Sequence, residues 1–429
     1  MHDNSLSHTD WLKEARFGLF IHWGIYSVAA RGEWVKNRER LGDGDYDPYF
    51  AHFEADLYDP SAWAREAANA GMRYFVVTTK HHDGFCLWDS QLTDYKATNT
   101  PAGRDLLRPM VEAFRAEGLK VGFYHSLLDW HHPEFPVDGF HPQRDDEASK
   151  CLNPGRDMAK YRSYLHGQVR ELLTGYGKID YIFFDFSYGP DQHPEIWGGK
   201  GREAWGSEEL LALVRELQPG IVVNDRLDLP GDVTTPEQYQ PAGPMPLTGS
   251  QSMWEANQTL NGTWGYDRDN YDWKPPEMLV KMLVDGVSKD GNFLLNVGPT
   301  ARGELDDQAL DLLRKIGTWM HRHQEAVYGC GPAPFAPPPD CRYTAKGNRL
   351  FLHIFSWPFG HLHLSDLGGR VEFARFVHDG SEVKREEIDP AQKANTIRMG
   401  GLQPGTLTLK LPVRQPDVLV PVVELSLRL

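Results

Sequence analysis

Two carboxylic acids are enough to hydrolyse a glycoside without a cofactor. One attacks the anomeric carbon and forms a glycosyl-enzyme; the other protonates the departing oxygen and then activates water. Asp185 suits the first task. It follows Tyr181-Ile182-Phe183-Phe184, an apolar run that reads as a buried strand and holds a carboxylate rigidly, as in-line attack requires. Glu237, within Thr234-Thr235-Pro236-Glu237-Gln238, has a softer, loop-like context that suits a group reaching for a leaving oxygen. Glu255 and Glu33 compete with it for that role. Histidines and tryptophans accompany these acids: His22, His81, His82 and His125, with Trp23, Trp34, Trp88, Trp130, Trp254 and Trp264. Aromatic faces pack on sugar C–H faces while polar neighbours bind hydroxyls, so the mixture points to a carbohydrate site. About half of the tryptophans are expected simply to fill core.

Such residues converge only if strands carry them to one rim. Eight short strand candidates run through the first 300 residues: Phe17–Gly24, Tyr74–Thr79, Lys120–Ser126, Asp180–Phe186, Gly220–Arg226, Asp232–Gln238, Gln251–Glu255 and Asn292–Gly298. Amphipathic segments lie between or after them at Ser61–Ala70, Arg104–Glu117, Asp157–Thr174, Ser207–Leu217, Pro276–Ser288 and Asp306–Tyr328. Apolar strands alternating with helices predict a parallel sheet buried on both faces. Eight of them predict an α/β fold, a (β/α)₈-type barrel. The sixth is polar and lacks a following helix, so one or two units are degenerate. In this architecture the functional groups collect at the C-terminal strand ends. Those ends carry His22, His81-His82, Tyr124-His125, Asp185, Asn224-Asp225-Arg226, Glu237 and Glu255. Beyond Tyr328 the pattern changes: Gly329–Pro339 is rich in glycine and proline and reads as a linker. Short alternating runs follow, at Leu350–Phe355, His361–Leu364, Val371–Val377, Thr396–Met399, Thr406–Leu411 and Val418–Leu427. They predict a C-terminal antiparallel β-sandwich. The expected division is therefore a catalytic barrel over residues 1–330 and a sandwich over 331–429.

Composition narrows the function further. A chain of 429 residues with 40% hydrophobic content can bury a large core. The formal charge of −15, with no basic run, argues against nucleic acid and anionic membranes as partners and favours a neutral substrate. Four dispersed cysteines form no CxxC pair and fit neither a zinc site nor a disulfide framework. The N-terminus lacks a basic-then-apolar leader and no apolar run is membrane-spanning, so the chain reads as soluble and cytoplasmic. No nucleophile elbow, phosphate loop or dinucleotide fingerprint is present, and no cofactor is expected. A metal-dependent hydrolase is the main rival, using His22, His81, His82 and Asp185. Adjacent residues on a regular strand face opposite ways, so His81 and His82 could share a metal only beyond the strand end. The acidic stretch Asp43–Asp47 has Pro48 where a calcium loop needs glycine, and reads instead as a mobile loop at the barrel mouth. Large apolar-rich loops are compatible with a homo-oligomer.

Longer stretches carry a resemblance. Phe17-Gly18-Leu19-Phe20-Ile21-His22-Trp23-Gly24, Lys80-His81-His82-Asp83-Gly84-Phe85-Cys86-Leu87-Trp88, Asn224-Asp225-Arg226, Trp264-Gly265-Tyr266 and Gly291–Pro299 occur in the order found in glycoside hydrolase family 29, the α-L-fucosidases. The sequence resembles that family over nearly all of its first 330 residues. The resemblance implies a retaining exo-glycosidase acting on terminal α-L-fucose in fucosylated glycans or oligosaccharides. It puts Asp185 in the place of the nucleophile. It puts His22, Trp34, His81, His82, Tyr124, Arg226 and Trp264 at positions lining the fucose pocket. The acid/base is the family's least regular feature. Glu237 is favoured by its spacing after Asn224-Asp225-Arg226, which leaves Glu255 as a secondary pocket residue. Two departures stand out: Phe183 where the family commonly has tryptophan, and Phe186 where it commonly has glycine. A pocket that had lost its chemistry would bind fucose without turnover, but both candidate carboxylates are present.

Overall fold

A strand with no polar face must be covered on both sides, and this rule organises the first 300 residues. The computed structural model describes residues 7–247, 253–387, 393–394, 397–398 and 402–428. Its first eight strands are β1 Phe17–Ile21, β2 Tyr74–Lys80, β3 Lys120–Ser126, β4 Tyr181–Asp185, β5 Val222–Val223, β6 Val233–Thr234, β7 Met253–Thr259 and β8 Gly291–Val297. They pair in parallel in the order β5-β4-β3-β2-β1-β8-β7-β6. A single parallel bridge, Asn224 with Val233, joins the two edges, and the Asp232 N–H donates to the Val223 carbonyl at 2.7 Å. The ring is thus closed by a narrow seam.

That seam is where the barrel is degenerate. The fifth and sixth strands were expected to be seven residues each, yet only two of each pair regularly. Side chains there take over from the ladder. The Asn224 amide accepts from the Phe184 N–H and donates to the Phe184 carbonyl, both at 2.9 Å. The Asp232 carboxylate accepts from the Val223 N–H at 2.8 Å.

The seventh strand also differs from expectation. It runs to Thr259 rather than ending at Glu255, while Gln251 and Ser252 lie outside the described residues. The polar run Asn257-Gln258-Thr259 looks like a strand exit. It nevertheless stays in register with β8 as far as Asn296 and is buried throughout. Along β7, Met253 faces the inner cluster of Phe20, Tyr74, Tyr124, Tyr181 and Phe183. Trp254 and Ala256 face outward into the layer between sheet and helices.

The helices Pro60–Asn69, Leu107–Ala116, Met158–Gly175, Ser207–Leu217, Pro276–Ser288 and Asp307–His323 form that outer layer. Their starts are chemically marked. The Asp59 carboxylate accepts from the Ala62 N–H at 3.0 Å with proline at the first helical position, and Asp157 caps Ala159 at 2.8 Å. The acidic stretch expected to be a mobile loop is instead a helix, Asp43–Ala51. Two aspartates in its first turn suit the helix dipole, the buried Lys36 pairs with Asp43 at 2.8 Å, and fully buried Tyr46 anchors it.

After the barrel come β9 Cys341–Lys346, β10 Arg349–Ile354, β11 His361–Leu364, β12 Val371–Phe376, β13 Lys384–Glu386, β14 Lys393–Ala394, β15 Ile397–Arg398, β16 Leu407–Lys410 and β17 Val422–Leu427. An antiparallel sheet β12-β17-β10-β9 faces a second, β11-β16-β13. Between them lie Leu350, Leu352, Leu364, Leu407, Leu409 and Leu425. Thr396 and Met399, the ends of one expected strand, lie outside the described residues. The sandwich is docked on the barrel: Trp319 donates its indole N–H to the Val420 carbonyl at 2.8 Å, and Phe351 and Val422 pack into the barrel's outer core. Among the described residues no helix is long and apolar enough to cross a membrane.

Candidate active site

Strand geometry aims Asp185 into the barrel mouth. It is the last residue of β4, and the strand behind it is wholly buried. The Asn224 clamp holds Phe184 immediately before it, and the Leu127 N–H donates to the Asp185 carbonyl at 3.0 Å. The carboxylate accepts from the Tyr124 hydroxyl at 2.7 Å on Oδ2 and from Arg226 at 2.7 Å on Oδ1. His82 Nε2 stands 3.9 Å from Oδ2. The bond from Arg226 is charge-assisted, and such bonds are shorter and stronger than those between neutral groups.

Arg226 is itself held. Its Nε donates to Thr235 Oγ1 at 3.1 Å and its second terminal nitrogen to the Thr235 carbonyl at 2.8 Å. The nitrogen that binds Asp185 also donates to Glu237 Oε2, at 2.8 Å. One guanidinium nitrogen therefore bridges the two carboxylates. Their bonded oxygens are no farther apart than the two bonds end to end, about 5.5 Å. Glu237 lies at the rim with its side chain 43% exposed, in contrast to 13% for Asp185. Its backbone segment is pinned to β7, since Gln238 donates to the Asn257 carbonyl at 2.9 Å and Asn257 donates to that of Pro236 at 3.0 Å.

The wall opposite is imidazole. β2 ends at Lys80, so His81 and His82 leave the strand alternation and lie side by side, ring centroids 4.0 Å apart and planes tilted by 39°. His22 follows β1, and its Nδ1 is 2.7 Å from the Asn296 amide oxygen. Burial pushes His22 from the ordinary 6.5 down to about 4, against the pull of Asn296. Burial, followed by the neighbouring histidines, also pushes His81 well below its ordinary value. His82 moves the same way for the same leading reason. The three rings are therefore neutral near pH 7, and neutral imidazoles can both donate to and accept from hydroxyls. Among the described residues, no set of three or more His, Cys, Asp or Glu side chains has the arrangement to hold a metal ion.

A cavity of about 80 Å³ collects His22, His81, His82, Tyr124, Trp34, Asp185, Arg226, Glu237 and Trp264 in one place. Phe20, Phe183 and Phe186 complete its apolar side, and Asn257 joins the lining. The sequence reading missed Asn257 because it lies past the expected end of the seventh strand. Its amide is buried and finds no partner among the described residues, so it is free to meet a ligand.

Glu255 requires correction. It lies near the start of β7, fully buried, bonded to the Tyr74 hydroxyl and to that of Tyr181 at 3.2 Å. Tyr74 opens β2 and Tyr181 opens β4, so this carboxyl sits in the barrel interior, away from the mouth. It lines no part of the cavity. Burial pushes it up to about 7. Glu33 is also buried and accepts from the Gly265 N–H at 2.7 Å, which fastens the segment carrying Trp264. Of the six tryptophans, Trp34 and Trp264 line the cavity. Trp130 packs behind Trp34 at 5.3 Å, while Trp23, Trp88 and Trp254 fill the outer core. His125 faces that outer layer too, 5.9 Å from Trp88.

Comparison with known proteins places this arrangement. The sequence profile described as alpha-L-fucosidase matches residues 2–325. The chain belongs to the α-L-fucosidase family. As a member of glycoside hydrolase family 29, this fucosidase chain is 31% identical over 384 residues to a plasma alpha-L-fucosidase of Pongo abelii, covering 81% of this chain and 76% of that one. The solved structure of alpha-L-fucosidase isoenzyme 1 from Paenibacillus thiaminolyticus is 46% identical and superposes with a TM-score of 0.90 over 98% of this chain and 99% of that one. A fucosidase from Bacteroides thetaiotaomicron, trapped as a covalent intermediate with 2-fluoro-fucosyl fluoride, is 26% identical with a TM-score of 0.83, covering 100% and 98% of the two chains. The fucosidase barrel and its sandwich are thus matched together, over essentially the whole length.

Proposed function

We propose that the protein hydrolyses terminal α-L-fucosyl residues of neutral fucosylated glycans with net retention, using Asp185 as nucleophile and Glu237 as acid/base. The observation that carries this reading is the Arg226 nitrogen bonded to both carboxylates. It keeps their bonded oxygens within about 5.5 Å of each other, closer than the roughly 6.5–9.5 Å at which inverting glycosidases hold their two carboxyls. A trapped covalent intermediate in the Bacteroides thetaiotaomicron relative supports the same course.

In the first step an Asp185 oxygen bonds to C1 while the C1–O bond to the leaving group breaks, and Glu237 transfers its proton to that oxygen. Arg226 occupies Glu237 Oε2, leaving Oε1 to carry the proton. Formation of the ester removes the charge on Asp185. Arg226 then faces a single carboxylate, now on Glu237, which takes a proton from water as the water attacks C1 and Asp185 departs. The neutral His22, His81 and His82 bind ring hydroxyls, and the Phe20, Phe183 and Trp264 rings face the C6 methyl group that makes fucose a deoxy sugar.

The test is release of nitrophenol from an aryl α-L-fucoside with a chelator present throughout, followed by proton NMR of the first sugar formed. Turnover with α-fucose appearing before mutarotation is the expected result. β-Fucose appearing first overturns retention, and absence of turnover by folded protein overturns the fucosidase reading.

A further inference from the structure

A second, larger cavity of about 430 Å³ opens from the first, and the two share Asp185, Phe186 and Arg226. The reacting carboxylate therefore stands at their junction. A sugar held in the inner cavity must direct its leaving group outward, because the Glu237 carboxyl that has to reach the glycosidic oxygen lies at the rim.

Phe186 forms the partition. Its ring lies 5.2 Å from Trp34 and 4.9 Å from His82 on the inner side, and 4.9 Å from Phe140 and 5.6 Å from Tyr188 on the outer side. Its backbone φ is +75°, a left-handed conformation that a Cβ opposes and that glycine would adopt freely. A bulky aromatic kept in a strained conformation beside reacting groups indicates that the ring itself is used.

The rest of the outer cavity is neutral to acidic. Gln192 donates to Asp228 Oδ1 at 2.6 Å, the Arg202 N–H donates to Asp228 Oδ2 at 3.0 Å, and His193 stands exposed beside them. The guanidinium at the junction, Arg226, is already shared by two carboxylates, so the cleft has little to offer an anion.

We propose that this cleft is the leaving-group subsite, with Phe186 as the platform on which a neutral pyranose stacks and Gln192, His193 and Asp228 as its hydroxyl partners. The inference rests on the fucosidase reading and adds to it the residues that hold the leaving group, above all the Phe186 ring against an apolar C–H face of a neutral sugar.

The test compares kcat/KM for α-L-fucosyl fluoride, whose leaving atom needs no cleft, with kcat/KM for a neutral fucosyl-lactose trisaccharide. Wild type, Phe186→Ala and a Gln192→Ala/His193→Ala double variant are compared. The trisaccharide-to-fluoride ratio is expected to fall about tenfold in Phe186→Ala and several-fold in the double variant. The double variant alters exposed side chains outside the inner cavity, so it serves as the readout if Phe186→Ala does not fold. A ratio within twofold of wild type in the folded variants overturns the proposal. Wild type that cleaves neither substrate would instead count against the fucosidase reading, so the two failures are distinguishable.

Discussion

Asp185 and Glu255 are both carboxyls on barrel strands, and they show how depth and partners decide what one chemical group becomes. Asp185 ends β4 at the mouth, where Arg226 and Tyr124 donate to it and the cavity reaches it. Glu255 lies near the start of β7, bonded to the hydroxyls of Tyr74 and Tyr181 and outside the lining of that cavity. A carboxyl in that setting favours its neutral form, because burial penalises the charge and two hydroxyls only partly offset the penalty. One end of the barrel thus surrounds its carboxyl with donors and opens it to a cavity. The other tolerates a polar group by shifting it toward its neutral form and bonding it to phenols.

The contrast breaks most visibly if the mouth carboxylate is removed. Asp185→Ala is expected to lower kcat on the order of 10⁴-fold while retaining the wild-type circular dichroism spectrum. Added azide should then yield β-L-fucosyl azide, the inverted product of direct attack. Near-normal turnover would rule out the nucleophile role. Glu237→Ala is expected to cost roughly 10²- to 10³-fold on oligosaccharides and much less on aryl fucosides whose leaving group needs no proton. Azide should here give α-L-fucosyl azide, and equal losses on both substrate types would count against the acid/base role. Tyr124→Phe, which removes one donor to the Asp185 carboxylate, is expected to reduce kcat/KM by roughly 10- to 50-fold. A change below twofold would mean that this bond does not matter in the transition state.

Glu255→Gln sharpens the comparison from the other side, with kcat/KM expected to stay within about threefold. Its signature is in stability. A carboxyl raised from 4.5 to about 7 in the folded protein contributes its stability below pH 4.5 and loses it as pH rises through 7. The glutamine variant should therefore gain melting temperature relative to wild type between pH 5 and pH 8, measured by scanning fluorimetry. An unchanged difference across that range would mean that Glu255 is not protonated in the fold. His22 has the opposite sense. Lowered from 6.5 to about 4, it contributes stability above pH 6.5 that is lost as pH falls toward 4. His22→Gln should flatten part of that acid limb, the smallest of these effects because other buried histidines titrate alongside it.

Much of this was legible in the chain. Hydrophobic runs such as Tyr181–Phe184 have one reasonable fate, and a polar residue at the end of such a run lies at the mouth of a barrel. His22, His81, Tyr124 and Asp185 could be read off in that way. The method failed where a strand stays buried while its composition turns polar. Asn257-Gln258-Thr259 look like a loop, yet their neighbours on β8 and the 236–238 segment supply the backbone partners that keep them in the sheet. The misread end promoted Glu255 to the mouth and hid Asn257.

The sequence by itself determined the alternation of strand and helix, the appended sandwich and the identity of the acid on β4, because these depend on local periodicity and on which residue ends an apolar run. Only the tertiary structure decided which glutamate meets Asp185. Glu237 was favoured over Glu33 and Glu255 by local context and spacing alone, and the contacts separate the three: the Gly265 N–H holds Glu33, the Arg226 guanidinium holds Glu237, and the two tyrosines of β2 and β4 hold Glu255. Strand register and loop return set those contacts, and both arise from pairing between distant segments that no local pattern encodes.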